Sequence, residues 1–126
     1  MRTIILASLI LSASTAYAEC WTVGNLSGQS AKAFEKYMLT EDGITDSRHN
    51  ITLAGNRSLV TPYDLPCSQA NSRLLVCIGQ DRDSAMIETW YVDPFAKRAI
   101  YTQTRSGYGP FDGSAVFVGE VLGPCQ

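Results

Sequence analysis

Four cysteines, Cys20, Cys67, Cys77 and Cys125, constrain this chain more than any other feature. All four follow an apolar N-terminal stretch, and their number is even. In a small exported chain that combination predicts disulfides. Spacing alone leaves the pairing open. The favoured pairing is Cys20–Cys125, which ties the two ends together, with Cys67–Cys77, which pins a loop to the strand that follows it. No C-x-x-C and no Cys/His pair is present, so the spacing argues against zinc, and neither a metal nor a cofactor is expected.

The export reading rests on residues 1–18. Arg2 is the sole charge before Glu19, Ile4 to Ala13 is apolar, and Ala16-Tyr17-Ala18 offers small residues around a larger one. This is the pattern of a signal peptide cleaved after Ala18, and the apolar run is too short to span a bilayer. Glu19 precedes Cys20, which argues against lipidation of that cysteine. The expected mature part, residues 19–126, is one disulfide-stabilised β domain with no membrane span, periplasmic or secreted.

Without Arg2 there are nine Lys and Arg against twelve Asp and Glu, a formal charge of −3. Mild acidity without a basic face gives no support for nucleic-acid binding. In a eukaryotic secretory pathway Asn25, Asn50 and Asn56 would be glycan acceptors; elsewhere they are ordinary strand and turn residues.

Beyond the signal, short β-branched and aromatic runs alternate with Gly, Pro, Asn and Asp, the all-β pattern. The clearest strands are expected over Cys20–Gly24, Arg73–Ile78, Ala85–Val92, Arg98–Arg105 and Ala115–Leu122. Weaker ones are expected over Glu35–Thr40, His49–Leu53 and Ser58–Thr61, with a possible short helix near 30–37. Asp93-Pro94 supplies turn chemistry between Ala85–Val92 and Arg98–Arg105. The expected architecture is a small antiparallel meander of about eight strands, a barrel or a sandwich, with the barrel favoured because closure removes exposed edges.

Four features invite chemistry. Alternation puts Met86, Glu88, Trp90 and Val92 on one strand face, so an inward face would bury a carboxylate that needs a partner. The plain alternative pairs Glu88 with Thr102 or Arg98, or exposes it to water. His49 is the single histidine; with Asp46 and Ser47 nearby but no G-x-S-x-G, it reads as a loop residue. Asp81-Arg82-Asp83-Ser84 starts like a calcium loop but lacks the required glycine and distal glutamate, and reads as an acidic turn. The glycine-rich segment Arg105 to Gly113 carries Tyr108 and Phe111 on a loop, the kind of surface that recognises partners.

In size, signal and expected barrel the chain resembles periplasmic lysozyme inhibitors of the small β-barrel type. Ser106-Gly107 with Tyr108 is its counterpart of their Ser-Gly-containing loop, and no role is carried over on so short a match. Three functions follow. The first is a non-enzymatic binding protein that engages a protein partner, as an inhibitor or immunity factor, through Arg105, Ser106, Tyr108 and Phe111. The second is a small-ligand carrier with a barrel cavity lined by Met86, Glu88, Trp90 and Tyr101. The third is an enzyme pairing Glu88 with a carboxylate such as Glu120; a structural envelope protein without a discrete site is the plain alternative.

Overall fold

The computed structural model describes residues 18–44, 46–63 and 65–126. The signal segment read over residues 1–18 lies outside them, apart from Ala18. Among the described residues nine strands form: β1 Glu19–Lys32, β2 Leu39–Ile44, β3 His49–Leu53, β4 Leu59–Thr61, β5 Cys67–Asn71, β6 Leu74–Gln80, β7 Ala85–Asp93, β8 Arg98–Ser106 and β9 Gly113–Pro124. All pair antiparallel, in the order β4-β3-β1-β9-β8-β7-β6-β5, and β2 lies beside β3 against the same edge of β1. The eight-strand path curls into a nearly closed barrel, which decides between barrel and sandwich.

Strand β1 can serve both neighbours because it bends. Its ladder with β9 slips between Gly24 and Ser27, where Asn25 takes a left-handed conformation (φ 55°). A bulge of this kind bends a strand and raises its twist. Before it, Glu19 to Val23 pair with β3; after it, Leu26 to Ala31 pair with β2.

Both disulfides have the favoured pairing. Cys20–Cys125 joins the start of β1 to the residue after β9, where Cys125 N–H also donates to the Cys20 carbonyl at 3.0 Å. Cys67–Cys77 links directly opposed positions of β5 and β6. This corrects one detail, since Cys67 lies on a strand and not in a loop. Cys-Ser-Gln-Ala-Asn lacks β-branched residues, so β5 owes its form to pairing with β6 and not to propensity.

Two further boundaries move. The strand expected over Glu35–Thr40 begins at Leu39, because Lys36 and Tyr37 have φ of 53° and 59°, outside the strand region. The short helix expected near 30–37 is a single 3-10 turn, Ala33–Glu35.

The hairpin β7–β8 forms as its turn chemistry requires. The Asp93 carboxylate accepts from the Phe95 and Ala96 N–H groups, each at 3.1 Å, and Asp93 pairs with Arg98. That register fixes every pair above it: Trp90 opposite Tyr101, Glu88 opposite Gln103, Met86 opposite Arg105.

The core fills the disulfide-tied end, with Val23, Ile51, Leu53, Val60, Leu75, Val92, Ala99 and Val121 buried. Above it an aromatic layer crosses the barrel. Trp90 and Tyr101 stack at 4.2 Å between centroids, and Tyr101 and Phe117 at 5.7 Å. These three are adjacent register partners, and Gly28 of β1 faces Phe117. A side chain at Gly28 would collide with the Val116 carbonyl, so this close approach of β1 to β9 requires glycine.

Candidate functional site: a cavity in the barrel mouth

The aromatic layer is the floor of a cavity of about 450 Å³ at the opposite end from the Cys20–Cys125 bridge. The sheet register explains why space remains there. One register step above the floor lie Glu88, Gln103, Ala115 and Ser30; one more step up lie Gly79, Met86, Arg105, Gly113 and Lys32. Ala115, Gly113 and Gly79 contribute little or no side chain where the floor has rings. Tyr63, Leu65 and Ile44 complete the wall.

The middle row is polar. Glu88 is 5 % exposed, and its Oε1 accepts from Gln103 Nε2 at 3.0 Å. The same amide nitrogen donates to the Tyr101 hydroxyl at 2.9 Å. Glu88 therefore faces inward, as alternation required, but its hairpin partner is Gln103 and not Thr102 or Arg98. Thr102 lies opposite Thr89, and Arg98 opposite Asp93. Among the described residues Glu88 has no cationic partner at ion-pair distance. Burial, then the negative charge of Glu88, push the Tyr101 phenol well above its ordinary range, so it stays protonated.

His49 corrects the reading of a loop histidine. It opens β3, is 2 % exposed and lines the cavity. It lies against Trp90 at 5.2 Å and stacks with Tyr63 at 5.8 Å. Burial lowers its pKa, an effect that the Glu88 charge opposes in part, so the neutral imidazole is favoured. Its Nδ1 and the Trp90 Nε1 are buried with no hydrogen-bond partner among the described residues. Asp46 and Ser47 are exposed and share no environment with this ring. The sequence signal for its inward aim is its alternation with Ile51 and Leu53 on β3, while its ring neighbours come from distant elements and leave no local signal.

Charges collect at the rim. Lys32 and Asp42 pair at 3.4 Å, and the Asp42 carboxyl lies below its usual range. Burial works against that, but the Gly43 N–H, Ser30 and Lys32 together outweigh it. Arg105 donates to the Met86 sulfur at 3.4 Å and sits 5.6 Å from the Tyr108 ring centroid, with no carboxylate partner among the described residues.

Of the four cavity residues expected from sequence, Met86, Glu88 and Tyr101 line the space, and Trp90 lies beneath as part of the floor. The proposed partner-binding residues lie beside the same mouth. Asp112 braces their loop by accepting from the Gly107 N–H at 3.1 Å and the Tyr108 N–H at 2.6 Å. Ser106 is exposed, and Phe111 meets Phe34 edge-on at 6.0 Å. Glu120 is exposed on the outer face of β9, where Asn25 donates to it at 3.2 Å, so it does not approach Glu88. Asp81 to Ser84 close a turn through a 2.8 Å bond from the Asp81 N–H to the Ser84 carbonyl.

Comparison with protein-family models, curated proteins and solved structures finds no match.

Proposed function

We propose that this chain is a non-enzymatic binding protein of an oxidising space, periplasmic or secreted, that holds one small molecule in the mouth of its barrel. The cavity carries this reading. At about 450 Å³ it has the size of a small-molecule site, with apolar walls and a few convergent polar groups. The two disulfides suit an oxidising compartment. Glu88, Gln103, Tyr101 and His49 would orient the ligand, and the aromatic floor would supply contact area. Glu120, the carboxylate considered as a partner for Glu88 in a two-carboxylate hydrolase, lies on the outer face of β9 and does not enter this cavity.

The test uses N-phenyl-1-naphthylamine, a neutral dye that fluoresces when it leaves water. Native mass spectrometry of protein from its own envelope fraction would show a retained molecule directly. The dye is expected to brighten with the wild-type protein and not with Met86→Trp, which places an indole across the mouth. Equal brightening with both would remove the cavity as the site.

A second reading has its own observation. Phe34 and Phe111 touch while remaining 55 % and 54 % exposed, and Tyr37, Met38 and Tyr108 are exposed on the same two loop segments, with Leu39 exposed at the start of β2. Clustered aromatics beside a rigid barrel suit a protein partner. A crosslinking pull-down from the envelope, wild type against a Tyr108→Ala, Phe111→Ala variant, tests it. A partner lost in the variant supports that face, and a partner captured equally by both excludes it.

A further inference from the structure

Charge in the cavity is separated by depth. The negative group, Glu88, is in the middle row, buried and without a cationic partner among the described residues. The positive group without a carboxylate partner among the described residues, Arg105, is on the rim, while Lys32 and Asp42 pair with one another. A buried carboxylate without a counter-charge is costly, so a ligand that brings a cation to Glu88 gains more there than in water.

Glu88 faces Gln103, and Arg105 is the next residue along β8 that points to the same side. Diagonal neighbours of this kind lie about 7–8 Å apart. Both line the cavity, Glu88 in the middle row and Arg105 one register step nearer the rim. A small ligand with a cation at one end and an anion at the other answers both groups, and a bare amine or a bare acid would leave one group unanswered.

Resting on the carrier reading, we infer that the ligand is a small zwitterion with an ammonium and a carboxylate a few bonds apart, as in an amino acid. Its ammonium donates inward to Glu88, and its carboxylate accepts outward from Arg105. Its side chain lies against Ile44, Tyr63, Leu65 and Phe117. The buried His49 ring, with its unpartnered Nδ1, presents the remaining polar atom to the ammonium end. Burial favours the neutral ring, and with its proton on Nε2 the Nδ1 atom can accept there without repelling the ligand's charge.

The experiment is calorimetric titration of the disulfide-intact protein with L-phenylalanine, phenethylamine and 3-phenylpropionate, followed in parallel by tryptophan fluorescence. The amine lacks only the carboxylate and the acid lacks only the ammonium. L-phenylalanine is expected to bind at least ten-fold more tightly than either. Glu88→Gln and the rim variant Arg105→Gln are each expected to weaken it ten-fold or more. Equal or tighter binding of either single-charge analogue overturns the inference. So does unchanged L-phenylalanine affinity in both variants. If N-phenyl-1-naphthylamine enters and none of the three titrants binds, the zwitterion inference fails and the carrier reading stands. If the dye also stays out, both fail.

Discussion

Gln103 serves Glu88 and Tyr101 with a single nitrogen: its Nε2 lies 3.0 Å from the carboxylate and 2.9 Å from the phenol oxygen. The two acceptors thus depend on one amide. Replacing Gln103 with Leu leaves a buried carboxylate without its neutral donor, which is expected to cost about 1–3 kcal/mol. Urea denaturation reads this as a lower midpoint at unchanged slope. Adding Glu88→Leu should recover part of the loss, because removing both partners costs less than orphaning one. A double variant weaker than Gln103→Leu by a further full increment would show that the amide does not support Glu88.

The buried ring of His49 makes stability depend on pH with a definite sign. Its pKa is lowered in the folded protein by burial, against an ordinary value of 6.5. Below about 6.5 the unfolded chain takes up a proton that the folded one resists. Stability is therefore full above that value and falls as pH drops towards the folded pKa. Thermal melts taken in steps from neutral to mildly acidic pH should show the decline, and His49→Asn should flatten it. Histidine is the only unperturbed side chain that titrates in this window, so an unchanged slope in the variant would exclude this origin.

Local patterns in the sequence carry much of this structure. Alternation in Ala85–Val92 and Asp93-Pro94 turn chemistry suffice for the hairpin and the inward aim of Glu88, but not for its register, which sets Gln103 opposite Glu88 in place of Thr102 or Arg98. The cavity is not legible in that way. It exists because Ala115 and Gly113 of β9 come level with Glu88 and Arg105, a relation set by strand pairing and not by any one segment. The surroundings of His49 escape for the same reason, since Trp90, Tyr63 and Glu88 reach it from three other places in the chain. The extension of β1 through Leu26 to Lys32 runs through Ser, Gly and Gln, where propensity is poor. Pairing on both edges, with β9 and β2, overrides it.

The disulfides differ in what they restrain. Cys20 and Cys125 are 105 residues apart in sequence, Cys67 and Cys77 only 10. In the chain-entropy account, the long loop contributes about 5 kcal/mol and the short one about 3. The paired variant Cys20→Ala, Cys125→Ala is therefore expected to lose more stability than Cys67→Ala, Cys77→Ala. Urea midpoints measured side by side decide it. The reverse order would mean that the contacts Cys67 and Cys77 make inside the barrel outweigh closure of the ends.

Ala115 and Gly28 are both small and both lie on strands that wall the barrel, yet enlarging them should have opposite consequences. At Gly28 an added Cβ meets the Val116 carbonyl, a backbone atom that cannot rotate away. Gly28→Ala should therefore cost about 1–3 kcal/mol, as overpacking does in a filled interior. Ala115 borders open space, so Ala115→Leu has room for the added carbons and should cost less than about 1 kcal/mol. It should nevertheless shut out N-phenyl-1-naphthylamine, because the new side chain occupies the polar row beside Gln103. Chemical denaturation together with dye uptake on the two variants separates stability from access. A folded Ala115→Leu protein that still takes up the dye would place binding outside the mouth, whereas one that is strongly destabilised would mean the space is smaller than its lining implies.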